Sequence, residues 1–330
     1  MRLEGHFDAV TWSAQLAQDV RIGLTRPQKM LPPKYFYDQR GSELFDAICD
    51  TPEYYLTRTE QTLLEQYADA IVATAQPSEL VEFGSGTSRK TRLLLDAMQR
   101  RQRRVRYVAI DVSEATLRAS ARRLLDEYPQ LSMHAVVGDY ERHLHHLPNG
   151  AQRLVAFIGS TLGNFTAAEA DVFLARVAAQ LTPGEYFLLG IDLVKDPEVL
   201  HAAYNDAAGI TAEFNRNILR VMNHALQGHF NPAAFDHVAF FNPEASQIEM
   251  HLRARRAHAV RVDALGMTVH LSEGETIHTE ISRKFTRPDT EAMLRRAGFE
   301  PVRWFEPANR YFGLALSRRS AYAVSPLRSK

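Results

Sequence analysis

From residue 79 onward the chain keeps one rhythm, a short apolar run followed by an amphipathic stretch of helical period. ELVEFGSG from 79 leads into a helical pattern at 88–101, RVRYVAID (104–111) into one at 113–127, and LSMHAVVGD (131–139) follows. RLVAFIGS (153–160), a helical stretch at 166–181 and YFLLGID (186–192) after the turn Thr182-Pro183-Gly184 continue the alternation. Predominantly apolar runs without strict alternation suit strands covered on both faces, and strand–helix alternation predicts an α/β doubly wound parallel sheet.

The flanks break this rhythm. Residues 13–22 have helical spacing, and a Pro-Pro turn with an aromatic-rich stretch then precedes a strongly periodic helix near 57–75. That aromatic lead-in suits a lid or a wall. After Asp192 the pattern reads helical over 196–226 and then as alternating strands across 235–285, which predicts an inserted α+β segment. A helix at 288–298 and two closely spaced strands, EPVRWFE and YFGLALSR, predict a closing antiparallel pair.

Composition narrows the partners. The 330 residues include 39 Lys and Arg against 39 Asp and Glu, so the basic excess needed to hold phosphate backbones or anionic membranes is lacking. A small-molecule substrate is expected, with no nucleic acid and no membrane. The single cysteine, Cys49, excludes an internal disulfide, and no apolar run approaches a membrane span, so a cytoplasmic protein is expected. His143, His145 and His146 lack a second ligand group, and no metal is expected.

The chemistry begins at VEFGSGTSRKT (81–91), where glycines follow the first strand and precede a helix, a geometry that aims backbone amides at a ligand. Arg89 stands where a phosphate-cradling NTPase loop has its second glycine and where a dinucleotide loop has its third. A methyltransferase that binds S-adenosylmethionine uses an acidic residue followed by G-x-G, as in Glu82-Phe83-Gly84-Ser85-Gly86, and accommodates no pyrophosphate. Asp111 ends the second strand, where a carboxylate can accept ribose hydroxyls, and Asp139-Tyr140 ends the third, where they suit an adenine ring. Either aspartate could instead cap the following helix.

LPPKYFYD, GSELFD, PEYYLTRTE, FGSGTSRKT, GSTLGNF, DLVKD, YNDAAGITAEFNRN and EMHLRAR occur in this order. Together they resemble the L-histidine Nα-methyltransferases of ergothioneine biosynthesis, over nearly the whole chain. The resemblance implies a Rossmann-like class I methyltransferase core with an inserted α+β substrate-binding domain. Its expected divisions are 1–58 as the N-terminal segment of the substrate domain, 59–195 as core, 196–285 as the insertion and 286–330 as the completion of the core. It further implies S-adenosylmethionine as methyl donor and three methyl transfers to the α-amine of L-histidine, giving hercynine. A monomer is expected. The alternatives are the same fold acting on another small amino acid or amine, an NTPase-like switch, and a non-catalytic S-adenosylmethionine-binding regulator.

The resemblance carries the donor site onto Gly84, Ser85, Gly86, Lys90, Asp111, Asp139 and Tyr140, with Lys90 suited to the methionyl carboxylate. It carries the imidazole site onto Glu280 and Ser282, whose spacing puts both on one strand face, where carboxylate and hydroxyl can take the two ring nitrogens. Met250 corresponds to an apolar wall and Tyr54 to a further imidazole contact. Asn164 and Tyr204 correspond to contacts with the amino acid's carboxylate, Asn164 also meeting the amine. Gly159, Phe45 and Tyr37 lie near the amine in the same comparison, and either Tyr37 through a water or bulk solvent is expected to take its proton. Asn164 and Tyr37 are thus the candidate catalytic residues.

Overall fold

The computed structural model describes residues 2–5, 9–144 and 152–321, without the side chains of 9–11, 141 and 143. His145 and His146, and the side chain of His143, therefore lie outside the described residues. In chain order the elements are β1 (Arg2–Gly5), α1 (Ala9–Thr25), β2 (Lys29–Met30), α2 (Gln39–Cys49), α3 (Tyr55–Ala75), β3 (Glu79–Phe83), α4 (Thr91–Gln99), β4 (Val105–Asp111), α5 (Glu114–Glu127), β5 (Leu131–Val137), α6 (Tyr140–His143), β6 (Arg153–Phe157), α7 (Ala167–Gln180), β7 (Tyr186–Asp192), α8 (Pro197–Tyr204), α9 (Ile210–Leu226), β8 (Phe235–Asn242), β9 (Gln247–Ala254), β10 (His258–Val262), β11 (Met267–Leu271), β12 (Thr276–Arg283), α10 (Arg287–Arg296), β13 (Phe299–Phe305) and β14 (Phe312–Arg319). They form two compact units, one of residues 1–6, 56–194 and 284–330, the other of 7–55 and 195–283.

The first unit holds an eight-stranded sheet in the order β1-β5-β4-β3-β6-β7-β14-β13. Strands β3 to β7 and β1 run parallel, and β14 enters antiparallel to both β7 and β13. This is the doubly wound plan that the strand–helix alternation predicts, and strand order reverses on the two sides of β3, where ligands bind in open α/β sheets. β3 and β6 are buried at every residue, the charged Glu79, Glu82 and Arg153 included. Phe83, Phe157 and Phe173 anchor the core against Leu174 and Leu189, and burying each such side chain contributes roughly 1.5–3 kcal/mol. α7 begins with a capping box in which Thr166 and Glu169 exchange side-chain bonds with each other's backbone.

One boundary expectation is corrected. Residues 1–58 do not all go with the substrate segment, because Arg2–Gly5 pairs in parallel with β5 and extends the core sheet. The cue was weak because an edge strand of four residues carries no long apolar run.

The second unit has a four-stranded sheet in the order β2-β12-β9-β8 and a separate β10-β11 pair. The helical stretch expected over 196–226 is two helices. Gly209 takes a left-handed conformation (φ +72°) and Asp206 accepts the amide hydrogens of Ile210 and Thr211 at 2.8 Å each, restarting the helix as α9. β12 pairs antiparallel with β9 through a bulge: His278 opposes His251, Glu280 opposes Met250, and Thr279 is the extra residue.

Candidate active site

In the first unit the glycine loop links β3 to α4. Gly84 and Gly86 have positive φ, +68° and +49°, which a side chain would strain, and a Cβ built on Gly86 meets nothing within 4 Å. The loop is tied to the neighbouring strand end: Gly84 donates its amide hydrogen to the Ile110 carbonyl at 2.8 Å, and Gly86 donates to Asp111 at 2.9 Å. Asp111 also accepts the Ser113 amide at 2.9 Å, but the helix cap is Ser113 itself, which bonds Thr116. A carboxylate has about four lone-pair sites, so Asp111 keeps capacity for hydroxyl donors. Burial pushes its pKa up, and the Ser113 and Gly86 amides oppose that shift. Tyr140 lies beside the loop with its ring stacked 6.4 Å from Phe83 and edge-on to Phe157 at 5.4 Å. Its aromatic face and the buried Asp139 adjoin in sequence at the end of the third strand of the rhythm. An open glycine backbone, a ribose-competent carboxylate and an aromatic face fit a nucleoside-bearing ligand.

Two buried carboxylates support the loop, Glu82 of the acidic-G-x-G motif and Glu60, which escaped the sequence reading. Glu82, before the glycines, accepts hydroxyl hydrogens from Thr91 and Tyr107 at 2.6 Å each, and burial raises its pKa to about 7 despite those bonds. Glu60 on α3 is fully buried, ion-paired with Lys90, and accepts the Gly159 amide hydrogen at 2.9 Å. It therefore joins the glycine loop to the end of β6. The available cue was an acidic residue on the apolar face of α3, spaced with Leu56, Leu63 and Leu64. Lys90 is thus already held by a carboxylate, and its ammonium has three donors to share. Gly159 (φ +83°) and Ser160 (φ +58°) form a left-handed corner, after which Asn164 ends a short 3-10 turn and is half-buried.

The second unit collects the remaining candidates. Glu280 and Ser282 lie opposite Met250 and Ile248, so the four share a sheet face. Tyr204 donates its hydroxyl hydrogen to Ser282 Oγ at 2.7 Å. The Tyr54 ring packs edge-on to Tyr204 at 6.3 Å and to Phe45 at 6.2 Å, and Tyr37 lies 5.6 Å from both Phe45 and Phe214. Burial first, then Tyr204, Cys49, Tyr37 and Glu280, hold the Tyr54 hydroxyl well above the usual phenol range, so it stays a neutral donor. Tyr37 is 37% exposed and keeps access to water. Phe214, absent from the sequence reading, sits at the centre of this aromatic cluster.

On the opposite face of that sheet, Glu249, His251 and His278 bring ligand-type atoms within 4.8 Å of one another. The His251 and His278 rings stack at 4.6 Å and 17°, and Phe240 stacks on His251 at 9°.

Comparison with known proteins adds to this geometry. The family described as histidine-specific, SAM-dependent methyltransferases matches residues 16–319. The histidine N-alpha-methyltransferase of Mycolicibacterium smegmatis is 46% identical over 97% of this chain and 99% of its own length, and that of Mycobacterium tuberculosis is 45% identical over 92% and 95%. Ergothioneine biosynthesis protein 1 of Neurospora crassa is 30% identical over 90% of this chain and 34% of its own length.

Proposed function

This chain belongs to the histidine-specific, S-adenosylmethionine-dependent methyltransferases, and on that premise we propose how its residues divide the work of methylating the α-amine of L-histidine in ergothioneine biosynthesis. The donor, when bound, supplies an electrophilic methyl group on a sulfonium. Gly84, Ser85 and Gly86 hold it by backbone contacts, Asp111 accepts its ribose hydroxyls, Asp139 and Tyr140 take the adenine, and Lys90 its carboxylate.

The acceptor is read by the second unit. Glu280 accepts an imidazole N–H, Ser282 and the neutral Tyr54 hydroxyl bond the ring, and Met250 walls it. Tyr204 gives its single hydroxyl hydrogen, held by Ser282 Oγ in this structure, to the carboxylate when histidine binds, and the family resemblance assigns Asn164 to the carboxylate and the amine and Gly159 to the amine. The observation that carries this assignment is the shared face of Glu280, Ser282 and Met250 with Tyr204 bonded to Ser282.

Direct displacement requires the neutral amine, which a neighbouring cationic sulfonium would favour, and needs no covalent intermediate. What the protein contributes is alignment and exclusion of water. Tyr37, itself open to solvent, passes the amine proton outward through a water. Faces of Tyr37 and Phe45 favour the increasingly methylated cation, which supports three successive transfers and hercynine as product.

The test is incubation with S-adenosylmethionine and an equimolar mixture of the twenty amino acids, followed by mass spectrometry. Histidine alone should gain up to three methyl groups. Methylation of a different amino acid, with histidine untouched, would overturn the imidazole assignment.

A further inference from the structure

β12 changes the face its side chains use part-way along its length. Ile277 opposes Leu252, yet Glu280 opposes Met250 and Ser282 opposes Ile248. On β9, Ile248, Met250 and Leu252 share one face, while Glu249 and His251 share the other. Continued without its extra residue, β12 would set Glu280 against the like charge of Glu249, and Ser282 would turn with it onto the His251 face. One inserted residue, Thr279, therefore moves both imidazole-reading groups to the Met250 side.

Thr279 is fixed from α9. It is 1% exposed; its hydroxyl donates to Asn215 Oδ1 at 2.7 Å and lies 3.0 Å from the carbonyl of Met250, the residue it doubles up against. Asn215, with no exposure, spends its two amide hydrogens on the His251 carbonyl at 3.0 Å and on His237 Nδ1 at 2.9 Å. His237 Nε2 is 2.9 Å from the Tyr204 carbonyl, so the tautomer protonated at Nε2 satisfies both bonds. The chain of bonds thus joins the backbones that carry Tyr204, Met250 and Glu280, and every polar atom of the Asn215 side chain is used.

We propose that Thr279 and Asn215 are positioning residues which, by clamping this bulge, select histidine over amino acids that lack an imidazole. The inference rests on the reading of Glu280 and Ser282 as the imidazole contacts. A propensity argument does not account for the pair, because a bulge interrupts the ladder and a fully buried asparagine needs all its partners.

The experiment compares steady-state kinetics of Thr279→Val, Thr279→Ser, Asn215→Asp and Glu280→Ala, with S-adenosylhomocysteine affinity by calorimetry as the check on the donor half. Thr279→Val should raise the KM for histidine about tenfold with a smaller change in kcat, leaving S-adenosylhomocysteine affinity unchanged. Thr279→Ser, which keeps the hydroxyl, should recover most of that loss, and Thr279→Val should add little in a Glu280→Ala background. If Thr279→Val does not fold, Asn215→Asp, which keeps the acceptor and loses the amide donors, carries the same expectation. A KM unmoved by Thr279→Val or Asn215→Asp, with Glu280→Ala still raising it, overturns the clamp and leaves the imidazole reading standing. A KM unmoved by Glu280→Ala overturns both.

Discussion

Tyr204 and Ser282 are hydrogen-bonded to each other at 2.7 Å, although the family resemblance assigns one to the carboxylate of the substrate and the other to its ring. The bond ties the end of α8 to β12 and holds the two proposed substrate contacts as one unit.

Tyr204→Phe removes the donor and leaves the Ser282 hydroxyl to find another partner. Losing a buried hydrogen bond costs about 1–3 kcal/mol, so the KM for histidine should rise by roughly 5- to 150-fold. Steady-state kinetics check this, and an unchanged KM would remove Tyr204 from the substrate contacts.

Glu60 and Gly190 are coupled by space. A Cβ on Gly190 would collide with the Glu60 carboxylate and lie 3.3 Å from the Ile158 backbone. Gly190→Ala should therefore destabilise the protein by about 1–3 kcal/mol, an overpacking cost. Glu60→Ala should also destabilise, because it strands the Lys90 ammonium and the Gly159 amide. In the double variant the Gly190 cost should shrink, so a denaturation cycle should show negative coupling; strict additivity would contradict the contact.

Lys284 and Asp192 form an ion pair at 2.9 Å in which both side chains are wholly buried. Lys284→Met takes the ammonium away from a wholly buried carboxylate and should cost about 3–5 kcal/mol, whereas replacing both residues by apolar ones of similar volume should cost far less. Thermal unfolding of the single and double variants distinguishes these outcomes.

The Glu82 carboxyl gives a pH signature. Its pKa rises from 4.5 to about 7 in the folded protein, so between those values the folded state binds more protons than the unfolded one. Stability contributed at this site therefore falls as pH rises through that window, by an amount on the order of 3 kcal/mol at most. Glu82→Gln cannot titrate, so its stability relative to wild type should improve steadily from pH 4.5 to 7. A constant difference across that range would show that Glu82 ionises normally.

Among the described residues no helix is long and apolar enough to cross a membrane. The buried aromatic and aliphatic positions instead serve the two units' own cores.

The sequence by itself determined the parallel core, because strands covered on both faces must be predominantly apolar and the helices between them must be amphipathic. It also placed the glycine loop at a strand–helix turn and set Glu280 and Ser282 on a common side, since i and i+2 always share a face. It could not say which side. Side-chain alternation has a period of two residues, so a single bulged residue reverses its phase, and nothing local in Thr276–Arg283 marks Thr279 as the extra one. That choice was made by α9, whose Asn215 reaches Thr279 across 64 residues of sequence. Glu60 is a parallel case: its helical position was legible, but its ties to Lys90 and Gly159 were decided only when three distant segments packed together and left a buried charge that had to be paired.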